Sequence, residues 1–160
     1  MKRVLMLLTA VLLLISCSSG KGDKHKSQSA EMVKDEVQTG INIGERAPEL
    51  VFKSPDGEKI ALTSLRGKMV LIDFWASWCS PCRRENPNLV NSYNQFRDKE
   101  FVNGSGFTIY GVSLDKTKKA WVAGIAQDGL KWESHVSDLR GWESVPAAMY
   151  GVMSIPSNFL

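Results

Sequence analysis

The chain has 160 residues, 43% hydrophobic and 23% charged, with a formal net charge of +3. That length suits one domain with enough apolar residues for a core, and the composition excludes a multi-span membrane protein, a collagen-like rod and a wholly disordered chain. Without the first 16 residues, which include Lys2 and Arg3, 18 basic side chains face 17 acidic ones. A balance so close to zero gives no electrostatic case for a nucleic-acid partner.

Met1-Lys2-Arg3 leads into Val4 to Ile15, a run whose only polar member is Thr9. A bilayer span takes about 20 apolar residues, so this run is too short for one. A basic start, a short greasy segment and then small residues read as a secretory signal over residues 1–16. Leu14-Ile15-Ser16-Cys17 resembles the lipobox of bacterial lipoproteins, in which the cysteine becomes the acylated first residue of the mature chain. Multiple acyl chains on Cys17 hold a membrane where one does not. The rival reading is an ordinary signal with a chance cysteine near its cleavage site. Residues 17–40 are mostly polar and read as a flexible tether, with helical tendency near Ala30 to Val37. The folded domain is expected over residues 41–160.

Leu50 to Lys53 and Lys59 to Leu62 flank Ser54-Pro55-Asp56-Gly57, a strong turn signal, which predicts a β-hairpin. Met69 to Trp75 is a nearly continuous apolar run of the kind that fills a strand buried on both faces. A helix is predicted from Ser80 to about Lys99, with Leu89, Tyr93 and Phe96 as its buried stripe and a kink or break at Pro87. Phe107 to Ser113 predicts a second buried strand, and Thr117 to Asp128 a helix with Trp121 and Ile125 on one face, ended by Gly129. Residues 131–145 carry a weak signal for a short strand and then loop. Pro146 to Tyr150 reads as a helical turn, and a last strand begins around Ile155. Strands alternating with helices predict an α/β layer fold around a partly parallel sheet.

Cys79 and Cys82 form a C-x-x-C pair in Trp78-Cys79-Ser80-Pro81-Cys82. Half a zinc site is one reading, but a structural site needs four ligands and the only histidines are His25 and His135. An inert disulfide is another, although so short a loop constrains the unfolded chain little. Redox work fits best. The pair falls where a buried strand passes into a helix, and unpaired N–H groups with the helix dipole stabilise an anion there. Cys79 is therefore the expected attacking thiolate, and Cys82, one turn further in, the resolving thiol. Pro81 sits in the first turn, where its missing N–H costs nothing.

Asp73 to Cys82 (DFWASWCSPC) closely resembles the active-site segment of thioredoxins. Gly44-Glu45-Arg46-Ala47-Pro48, the hairpin with Asp56-Gly57 and Leu65-Arg66-Gly67-Lys68 resemble the TlpA/ResA-like branch of exported, membrane-tethered thiol–disulfide oxidoreductases, which is related to the peroxiredoxins. Tyr150-Gly151-Val152 followed by Ile155-Pro156 is similar to the branch's cis-proline loop. The resemblance implies a thioredoxin-like fold, a central mixed sheet flanked by helices, with an N-terminal β-hairpin extension. It makes Asp73 the buried acid that takes the proton of the resolving cysteine, against a rival pairing with Lys68. It makes Glu85 an acid that adjusts thiol acidity, against a solvated carboxylate beside Arg83 and Arg84. Trp78, Ile155 and Pro156 become a substrate-docking surface, while Trp75 and Pro87 are structural. Thioredoxin-like folds continue well past the cis-proline, whereas Leu160 follows Pro156 by four residues. The expectation is a fold lacking the last hairpin and the C-terminal helix, as in a fragment of a longer chain.

The resemblance implies a reductant of disulfides in extracytoplasmic proteins, with apocytochrome c as one candidate substrate and a membrane thiol carrier as electron donor. No cofactor and no metal are expected. Ser80-Pro81 lacks the histidine found between the cysteines of strong oxidants, which favours a low potential. A peroxiredoxin-type thiol peroxidase is the enzymatic rival, but Ala76 and Ile72 stand where peroxidases carry Thr or Ser and Pro. A copper- or haem-handling chaperone, with His135 as an extra ligand, is the non-enzymatic one.

Overall fold

The computed structural model describes residues 37–160. The signal segment, Cys17 and the tether as far as Glu36 lie outside the described residues. Strand β1 (Val51–Lys53) pairs antiparallel with β2 (Lys59–Ala61), closed by a turn in which Gly57 N–H donates to Ser54 O at 3.0 Å and Ser54 N–H to Glu58 O at 2.8 Å. The hairpin is thus where the Pro-Asp-Gly signal places it. A short 3-10 turn (Leu62–Leu65) then delivers the chain into the main sheet.

That sheet has four strands in the order β7-β6-β3-β8. Strand β3 (Met69–Trp75) and β6 (Phe107–Ser113) run parallel over their full length, with the boundaries their apolar runs predict. Strand β7 (His135–Val136) adds parallel to β6, and β8 (Ser157–Phe159) antiparallel to β3. The two crossovers, β3 to β6 through α1 (Ser80–Phe96) and β6 to β7 through α2 (Lys118–Asp128), step in the same direction across the sheet. Right-handed connections therefore put both helices on one face. Side-chain alternation assigns the faces, since Gly124 of α2 packs on the Trp75 ring and Asp73 lies two residues earlier on the same side. Ile72, Phe74 and Tyr110 point the other way, where the Tyr110 hydroxyl donates to Ile60 O of the hairpin at 2.9 Å and Phe74 meets Tyr150 at 5.6 Å between ring centroids.

Helix α1 runs through Pro87 without ending there, and stops at Phe96 rather than near Lys99. Its buried face is Cys82, Asn86 and Leu89, with Tyr93 half-buried. Phe96, expected in the stripe, is 36% exposed and rests edgewise on Phe107. Past the helix the chain turns back through a small hairpin, β4 (Glu100–Phe101) and β5 (Gly104–Ser105), for which the sequence carries no periodic signal. Thr117 caps α2 by accepting from Ala120 N–H at 3.3 Å, Trp121 is buried, and Gly129 ends the helix in a left-handed conformation, φ 62°. Residues 131–145 hold β7 and a 3-10 turn (Gly141–Glu143), followed by α3 (Val145–Met149). The last strand begins at Ser157, two residues later than expected, because Ile155-Pro156 is a cis peptide and belongs to the loop.

Candidate active site

Cys79 is the N-cap of α1, in extended backbone conformation, and is joined to Cys82 by a disulfide with the Cα atoms 5.3 Å apart. Its Sγ accepts from the Cys82 N–H at 3.2 Å, while its carbonyl accepts from Arg83 N–H at 3.0 Å, the first bond of the helix. An N-cap normally supplies a side-chain oxygen to such an orphan N–H. Here a sulfur does so, and a thiolate at that position receives the same N–H and the positive end of the helix dipole. Cys79 is 4% exposed and Cys82 1%, so the outer sulfur of the pair is the one at the helix tip.

The loop that presents Cys79 is held from two sides. Asp115, 1% exposed at the end of β6, accepts from Ser77 N–H at 3.0 Å and from the Ser77 hydroxyl at 2.6 Å, and its Oδ2 also accepts from the Ser113 hydroxyl at 2.8 Å. On the helix side Arg83 donates to Ser77 O at 3.0 Å, to Gln127 Oε1 at 3.1 Å, and to Asp128, with which it forms an ion pair. The buried Asn86 amide donates to the same Asp128 carboxylate at 2.6 Å, tying α1 to α2. Arg83 is therefore a strut of the active-site loop rather than a solvated neighbour of Glu85. Sequence reading missed Ser77, Asp115 and Asp128, whose partners lie 38 to 45 residues away along the chain.

Asp73 sits in β3 on the face that α1 covers, and is 1% exposed. Lys68 is exposed and makes no ion pair with it, so the rival pairing falls away. One neighbour addresses the carboxylate: the Asn158 amide, turned so that its nitrogen faces Asp73, donates to Oδ1 at 2.7 Å and to Ser157 O at 3.0 Å, while Oδ2 has no partner. A single hydrogen bond to a charged group contributes about 1.5–3 kcal/mol, less than the cost of burying an ionised carboxylate. Burial wins. It pushes the Asp73 pKa up to about 7, with the Glu85 charge adding to the rise. Glu85 itself lies on the exposed side of α1, where its carboxylate accepts from the Asn88 amide at 3.3 Å. Asn86, not Glu85, occupies the buried face beyond Cys82.

Across from the pair, the Ile155 carbonyl oxygen lies 3.7 Å from Cys79 Sγ and the cis Ile155-Pro156 bond follows it. The loop containing Pro156 and the cysteine pair are thus brought together. Trp75 is fully buried against α2, whereas Trp78 is 52% exposed beside Cys79. His135 is buried and stacks on Trp132 at 5.3 Å, with neither ring nitrogen hydrogen-bonded; burial lowers its pKa to about 4. Among the described residues, no group of three or more His, Cys, Asp and Glu is placed to hold a metal ion. Among the same residues no helix is long and apolar enough to cross a membrane.

The chain can be set beside known proteins on this geometry. The model of the AhpC/TSA family matches residues 43–159. Thiol-disulfide oxidoreductase ResA of Bacillus thuringiensis subsp. konkukian is 29% identical over 160 residues, spanning 100% of this chain and 83% of the relative. Thioredoxin-like protein YneN of Bacillus subtilis is 34% identical over 123 residues, 77% of this chain and 67% of that protein. Among solved structures, a thiol-disulfide oxidoreductase from Bacteroides fragilis superposes with a TM-score of 0.61 at 32% identity, covering 70% of this chain and 79% of the other. A thiol:disulfide interchange protein from a Bacteroides species gives 0.59 at 33%, covering 76% and 73%. With its thioredoxin-like mixed sheet and its Cys79–Cys82 pair, the chain belongs to the AhpC/TSA family and is a thiol–disulfide oxidoreductase.

Proposed function

We propose that this oxidoreductase works as a reductant of disulfides in proteins outside the cytoplasm, held to the membrane through Cys17. One observation carries the chemical part: the C-x-x-C pair caps the N-terminus of α1 while a buried carboxylate with a pKa of about 7 lies on the sheet face beneath that helix. In the reduced protein the Cys79 thiolate attacks one sulfur of the substrate disulfide, and the other leaves as a thiolate. Asp73 accepts the proton of Cys82, whose thiolate then attacks Cys79 Sγ. The second substrate thiol is released, two electrons have passed to the substrate, and the Cys79–Cys82 disulfide remains. A dithiol donor, such as a membrane thiol carrier, restores the reduced pair. Ile155 and Pro156 face Cys79 and offer backbone to an extended substrate segment. Apocytochrome c is one substrate of suitable chemistry, since its reduced cysteines are what such a reaction delivers.

Direction and location have separate tests. The reduced and oxidised forms, equilibrated with glutathione buffers, are expected to give a potential well below about −180 mV, the isomerase-like value. A higher value removes the reductant reading and leaves the exchange chemistry. The arrangement of residues 1–16, Cys17 and the polar tether supports the anchor. Cells fed radiolabelled palmitate are expected to label the chain but not its Cys17→Ala variant, and equal labelling of both refutes the anchor.

A further inference from the structure

Beside Cys79, Trp78 meets a second exposed ring that the exchange reaction leaves without a role. Trp78 and Trp142 are each 52% exposed, with ring centroids 6.1 Å apart and planes tilted by 56°. At that distance the rings touch as a tilted pair and together form one side of an open groove. Leu114, Thr117 and Ala120 also line it, and its volume is about 440 Å³. We propose that this groove is a subsite for a bulky apolar side chain flanking the reactive cysteine of a protein substrate. The proposal rests on disulfide exchange at Cys79.

Both rings follow anchored residues. Trp78 follows Ser77, which Asp115 holds by two hydrogen bonds. Lys116 follows Asp115, and its side chain lies across Gly141, where a Cβ would come within 2.7 Å of it. Gly141 has φ +61°, a conformation that favours glycine. Trp142 follows directly. The Asp115 bonds to Ser77 and the direct ring contact therefore set the two rings before any ligand arrives, and a preformed groove costs little ordering on binding. Trp78 is bonded to Cys79, so a substrate disulfide that reaches Sγ brings its flanking residue to this wall. Paired aromatic faces left in water gain most by covering an apolar side chain. Lys116 is exposed at the groove, which disfavours a basic one.

The test uses the pre-reduced full chain and two disulfide-linked peptides that differ only in the residue before the cysteine, Leu or Ser. Single-turnover rate constants are measured by quenched flow. The parent protein is expected to favour the Leu peptide by about tenfold. In Trp142→Ala that ratio falls to near one, and Trp142→Phe restores most of it. Each ratio comes from one preparation, so any unfolded fraction cancels. A parent without preference, or a ratio unchanged in Trp142→Ala, overturns the subsite. So does a parent that sediments as a dimer dissolved by Trp142→Ala, since the rings then join two copies. Hydroxyethyl disulfide, which has no flanking side chain, separates the layers: if it is not reduced either, the exchange reading itself has failed.

Discussion

Cys79→Ser is expected to reduce disulfide exchange to the uncatalysed level, whereas Cys82→Ser keeps the first step and stalls as a mixed disulfide with substrate. The asymmetry follows from position. Cys79 Sγ receives the Cys82 N–H at 3.2 Å at the N-terminus of α1, so its thiolate is stabilised there. A charge at a helix terminus gains about 0.3–1 kcal/mol, up to ~2 in a partly buried site. In the reduced protein that favours the thiolate of Cys79 over the thiol. Cys82 lies inside the first turn, 1% exposed and away from that terminus. Alkylation of Cys82→Ser with iodoacetamide across pH is expected to show the lowered midpoint. The mixed disulfide accumulates in the same variant and is visible on a non-reducing gel. If Cys79 titrates like free cysteine and no mixed disulfide forms with any disulfide substrate, the assignment of attacking and resolving roles is wrong.

What the sequence made legible was local. Strands β3 and β6 are read from seven-residue apolar runs, the β1–β2 hairpin from Pro55-Asp56-Gly57, and the end of α2 from Gly129, because each signal resides in adjacent residues. The strand-to-helix setting of Cys79 and Cys82 was legible for the same reason: it lies within ten residues. The small hairpin at Glu100–Ser105 was not, since two-residue strands are too short to show alternation. The role of Arg83 was not legible either. Its partners Asp128 and Ser77 become visible only once α2 packs beside α1. Glu85 and Asn86 lie three and four residues after Cys82, and a rotation of one residue about the helix puts Asn86 rather than Glu85 on the core side. Asn158, the partner of Asp73, is reached only through the antiparallel register of β8 on β3.

Asp73→Asn is expected to make the protein more stable and slower at once, and the opposite signs separate a working carboxylate from a structural one. Burial raises the Asp73 pKa from 3.8 to about 7. Between those values the folded chain binds more protons at this site than the unfolded chain does, so stability falls as pH rises from about 4 to about 7 and is level above. Three units correspond to about 4 kcal/mol of ionisation penalty. The amide cannot ionise, and it keeps an oxygen for the Asn158 donor. Urea melts at pH 8 should therefore show Asp73→Asn more stable by about 3 kcal/mol, while at pH 4 the two proteins converge. The resolving step should move the other way. Without a buried base the Cys82 proton must leave unaided, and release of substrate from the mixed disulfide slows by about 100-fold near neutral pH. Its pH profile should shift from a midpoint near 7 toward that of an ordinary buried thiol. A variant that gains stability with unchanged resolution shows that the carboxylate is buried for reasons unrelated to the chemistry. One that loses stability at pH 8 shows that the carboxylate is not the isolated charge its missing Oδ2 partner implies.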